Sequence, residues 1–171
     1  MYDLAFLGAI FTGLTFALLL WFTKTVNRDA NRFLALALVT MILWMIRVLA
    51  TDLKLEIYLP GWDKLPLQFL LALGPLLYFY VLKITRPKYK FGWKEALHFT
   101  PLLLEQLMLP FPQLNLALQL LIFISIITYL YKSYQLILLF YNGQPIIAMD
   151  RSRLEFRWLR RLLAATALLW C

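Results

Sequence analysis

Three stretches of this chain contain no Asp, Glu, Lys or Arg: Leu4–Thr23, Leu65–Leu82 and Gln106–Tyr131. A hydrocarbon core of roughly 30 Å is crossed by about 20 apolar helical residues, and each run is of that order. Composition agrees, with 63% hydrophobic residues and a mean hydropathy of +0.73. A soluble domain runs near 45–50% apolar, and a chain of this size has no core large enough to hide the excess. The expected fold is all-α, a polytopic transmembrane helix bundle forming one domain.

Charge sets the expected spans and their direction. The apolar stretches and their basic punctuation place five full spans at about 4–23, 33–51, 66–82, 96–109 and 114–131, with an incomplete sixth at 159–171. The fifth helix is expected to continue past Lys132 until "YNGQP" stops it. "SRLE" has the form of a capping box, with Ser152 as N-cap and Glu155 reaching back. Alternate loops hold fourteen basic residues against two in the others. By the positive-inside rule the rich loops are cytoplasmic and the N-terminus lies outside. The net charge of +8 is therefore a topology signal rather than the face of a nucleic-acid binder. The lone Cys171 allows no intramolecular disulfide.

Catalytic equipment is sparse. No phosphate-cradling glycine loop, G-x-S-x-G elbow or H-E-x-x-H pair occurs, and a single histidine cannot build a histidine-rich metal site. The expectation is a non-enzyme with no cofactor, no metal and no catalytic residue. Three features remain as candidate functional sites. Arg47 and Glu105 are charges within spans, costly in lipid, and are either a buried pair or two side chains reaching separate polar partners. Gly74-Pro75 interrupts an apolar helix, either as a packing kink or as a hinge. His98 sits near the basic interface, either touching headgroups and loop carbonyls or acting as a sensor that titrates near neutral pH.

The stretches "GLTFALLL", "NRFLALAL", "LALGPLLYFYV", "ALHFTPLLLE", "LYKSYQLIL" and "LEFRWLRRLL" occur in this order. Together they resemble the N-terminal membrane region of bacterial membrane-bound AraC-type transcriptional regulators. The resemblance implies a sensor bundle in the bacterial inner (cytoplasmic) membrane that passes a signal to a cytoplasmic helix-turn-helix domain. That output domain is not in this sequence, which on this reading is truncated within its sixth span. DNA would be reached only through the missing domain. The other expected partners are the lipid bilayer, a second copy in a homodimer, and a small-molecule or envelope signal. The alternative is a small transporter or channel subunit, with Arg47 and Glu105 lining a pathway.

Overall fold

The computed structural model describes residues 2–23, 27–58, 69–108 and 111–142, and these are helical with short turns. In chain order the helices are α1 (Tyr2–Phe22), α2 (Arg28–Asp52), α3 (Leu70–Thr85), α4 (Trp93–Ala96), α5 (Thr100–Met108) and α6 (Asn115–Asn142). Single 3₁₀ turns lie at Leu55–Ile57, Leu97–Phe99 and Pro112–Leu114.

Five full spans and part of a sixth are not what these residues form. Among the described residues, three helices are long and apolar enough to cross a membrane: Leu4–Phe22, Arg28–Asp52 and Leu116–Phe140. The protein is thus a membrane protein by the length and composition of α1, α2 and α6. The expected third span is the 16-residue α3, about 24 Å long at 1.5 Å per residue and short of a full hydrocarbon core. The expected fourth breaks up. Pro101 has no N–H for the carbonyl of Leu97, so the ladder is interrupted. A 3₁₀ turn precedes a nine-residue α5, about 14 Å long. The expected sixth span and the Ser152–Glu155 capping box lie outside the described residues.

The fifth helix follows expectation, running through Lys132 to Asn142. The Lys132 ammonium lies 5.5 Å from the centroid of the Tyr129 ring, so the charge is accommodated on an aromatic face without ending the helix.

The helices pack in the order α1, α2, α3, α6, with α5 laid against α3. α2 and α3 run antiparallel, since Asn27 at the start of α2 bonds the carbonyl of Lys83 near the end of α3. α6 runs parallel to α3. Its Leu118, Ile122 and Ile126 pack with Leu70–Leu77, and its Leu136 and Ile137 pack with Phe79–Leu82. α1 touches the bundle through a narrow seam. A Cβ added at Gly13 would sit 3.2 Å from Ile42, whereas Phe11 is 73% exposed and faces what would be lipid.

α3 is the centre of the bundle. All its residues except Tyr78 and Ile84 are buried. Helix burial against lipid gains little hydrophobic energy, because acyl chains are as apolar as leucine. Packing and satisfied helix ends must hold α3 in place, and both ends are held by side chains from elsewhere. Glu105 of α5 accepts from the amides of Leu70 and Leu71, each at 3.0 Å. Asn27 donates to Lys83 O while its own oxygen accepts from Ala30 N, capping α2. These contacts satisfy groups that every helix terminus leaves open and that lipid cannot solvate.

Candidate functional site

The site grows from the middle of α3. Gly74 lies on the face turned to α6, where an added Cβ would come within 2.9 Å of Tyr129 Cδ2 and 3.3 Å of the Ser125 carbonyl. Glycine therefore sets the helix separation at this level. Pro75 follows in the same unbroken helix. Having no N–H, it cannot serve the carbonyl of Leu71 one turn earlier. The tightest approach and the missing ladder bond thus occupy adjacent residues.

Tyr129 carries this position toward the basic end. Its hydroxyl is 2.8 Å from His98 Nδ1, and the two rings meet edge-to-face with centroids 5.8 Å apart. Which ring nitrogen holds the proton depends on the tautomer, so the bond runs in either direction. Tyr78 lies 6.0 Å from the Tyr129 ring. Phe79 meets His98 edge-on at 5.6 Å and stacks on Phe99 at 5.8 Å. Phe91 closes the group at 5.2 Å from Phe79. His98 is therefore half-buried in an aromatic box built from α3, α6 and the turn before α5.

Two expected site features are thus joined through a residue the sequence did not single out. Gly74 and His98 both lie against Tyr129. A signal for Tyr129 was present: a tyrosine within an apolar span needs a partner for its hydroxyl. Its place within the uncharged run Gln106–Tyr131 hid it.

The third feature, Arg47 and Glu105, was open in the sequence to two settings, a buried pair or separate polar partners. Glu105 is fully buried, at 0% exposure, and its two oxygens take the first amides of α3. An acidic group at a helix N-terminus is favoured by both the free N–H groups and the helix dipole. The hydrogen bonds that Glu105 makes go to these backbone amides. Arg47 lies in α2 with interactions of its own, and its carbonyl accepts from Thr51 Oγ1 at 3.0 Å. The missing signal was negative. No Ser, Thr, Asp or Asn precedes Leu70 in "LPLQF", so the helix lacks a local N-cap and needs one from elsewhere.

Among the described residues, the basic end carries one ion pair. Lys83 Nζ lies 2.8 Å from Asp29 Oδ2, with side-chain exposures of 8% and 57%. Nearby, Tyr89 donates its hydroxyl to Glu95, whose other oxygen accepts from Gly92 N at 2.8 Å. These bonds hold the Glu95 carboxyl below the usual carboxylate range, the Tyr89 bond being the largest cause. Among the described residues, no cluster of His, Cys, Asp and Glu could hold a metal ion.

No family model, curated protein or solved structure matches this chain. What the arrangement of the site can do is transmit displacement, because His98, Tyr129 and Gly74 link three elements through one hydrogen bond and one close contact.

Proposed function

We propose that the chain is the membrane-embedded sensory module of a one-component transcriptional regulator, passing its signal to a cytoplasmic helix-turn-helix domain that this sequence does not contain. The observation carrying the reading is the His98–Tyr129 bond abutting Gly74-Pro75. It sets an ionisable group against the weakest turn of the central helix. Ångström-scale shifts at helix ends are enough to switch an output when the packing has two discrete arrangements. The sequence resemblance to membrane-bound AraC-type regulators points the same way.

The membrane would be the bacterial inner membrane, with the basic end in the cytoplasm. Supporting this, the structure brings the basic end of α3 beside the start of α2 through Asn27, Asp29 and Lys83. The pathway reading fits less well. A carboxylate lining a water-filled route must be presented to water, and Glu105 is sealed against two amides.

The test fuses the full chain to a dimerisation-dependent DNA-binding domain driving a reporter gene. His98→Ala and Tyr129→Phe should each change reporter output severalfold at equal membrane levels. Output identical to the parent for both variants would overturn the sensory reading.

A further inference from the structure

A second site lies at the basic end, away from the aromatic box. A cleft of about 290 Å³ opens between α1, α2 and α3, with Trp21, Asp29, Arg32, Leu36, Lys83 and Phe91 among its walls. Its two cations are in different states. Lys83 is paired with Asp29 at 2.8 Å, whereas Arg32 feels the same carboxylate only as a weaker, longer-range charge interaction. Arg32 Nε is buried and has no hydrogen-bond partner among the described residues. The guanidinium carbon lies 5.4 Å from the Trp21 ring centroid.

This contact combines a cation–π attraction with a fixed guanidinium position, and it leaves the in-plane N–H groups for an acceptor. A guanidinium edge is built for two oxygens of one phosphate or carboxylate. The remaining walls are aromatic and aliphatic, so the occupant needs an anionic head on an apolar body. Asp29 on the rim disfavours a second negative charge. Trp21 and Phe91, each 42% exposed, stand where aromatic residues of a membrane protein meet the headgroup layer.

We infer that this cleft seats the phosphodiester of an anionic phospholipid, held by Arg32 with the adjoining glycerol and acyl carbons against Leu36 and Phe91. The shared chemistry is a phosphate oxygen pair on one guanidinium. A lipid supplies it with an apolar body and a single negative charge, whereas free phosphate supplies neither the body nor a fixed single charge. The anionic cytoplasmic leaflet makes such a lipid abundant at a basic membrane face. The site stands independently of the signalling reading.

The experiment is native mass spectrometry of the full chain released from phosphatidylcholine membranes containing phosphatidylglycerol. The parent chain should retain one phosphatidylglycerol in preference to phosphatidylcholine. Arg32→Gln should weaken that retention by about tenfold, as expected for loss of a charge-assisted hydrogen-bond pair, while Arg28→Gln leaves it unchanged. Leu36→Trp fills the cleft with Arg32 intact and should abolish retention, so the test stands even if Arg32→Gln fails to accumulate. Equal retention of both lipids by the parent chain would overturn the inference, as would undiminished retention by either cleft variant. Displacement of the lipid by millimolar inorganic phosphate would overturn it in favour of a free anion.

Discussion

The Tyr129 hydroxyl meets His98 Nδ1 at 2.8 Å while the same tyrosine ring fills the space beside Gly74. One side chain of α6 therefore reports to both a titratable group and the proline-weakened turn of α3. The arrangement makes Gly74 a demanding position. Gly74→Ala places a methyl 2.9 Å from Tyr129 Cδ2, and backbone at Ser125 limits how far the helices can part. The expected cost is about 1–3 kcal/mol, the usual range for overpacking. Thermal unfolding in mild detergent measures it. Combining Gly74→Ala with Tyr129→Ala should recover part of the loss, and a simple sum of the two single effects would refute the contact.

Glu105 gives a second, independent measurement. Glu105→Ala orphans the amides of Leu70 and Leu71 in a buried setting, each worth about 1–3 kcal/mol. Glu105→Gln keeps one acceptor oxygen and should lose roughly half as much. Hydrogen exchange at Leu70 and Leu71 should accelerate in the alanine variant. Unchanged exchange there would mean that the carboxylate does not cap α3.

The Lys83–Asp29 pair should respond unequally to its two deletions. Lys83 is the buried partner, so Asp29→Asn strands its charge and should cost about 1–2 kcal/mol, below the 3–5 of fully buried pairs because Asp29 is half exposed. Lys83→Met removes the buried charge and keeps the stem, and it should be close to neutral. Chemical unfolding of the two variants side by side checks the asymmetry. A larger loss in Lys83→Met would reverse the assignment.

Acid sensitivity should trace to Glu95. Its carboxyl is held low first by the Tyr89 hydroxyl, then by backbone amides. A lowered carboxylate stabilises the fold at pH above its ordinary value of 4.5, and that contribution disappears as pH falls through the lowered folded value. The Tyr89 phenol is pushed up, chiefly by the same bond. Its contribution is present below the ordinary tyrosine range and is lost as pH rises through the raised folded value. Tyr89→Phe should therefore unfold earlier than the parent chain at pH 7, with the gap closing toward pH 3. A gap that is constant from pH 7 to 3 would remove the bond from the stability of this loop.

Membrane character and helical class were legible in the sequence, because they rest on long apolar runs and their flanking charges. Local chemistry of this kind needs no partner to be read. The number of crossings was not legible. Both α3 and the 96–109 segment look like spans when apolarity alone is counted, yet α3 is apolar because it is surrounded by protein, and Pro101 splits the other at the ladder bond it cannot make. The site divides in the same way. Gly74, Pro75 and His98 stood out as residue types at odds with an apolar helix, but their meeting at Tyr129 required α6 to lie parallel to α3, which no local pattern encodes. Glu105 was visible as a charge in lipid. Its partners were not, since backbone amides have no signature in sequence, and only the packing of α5 across the uncapped start of α3 decided where that charge is satisfied.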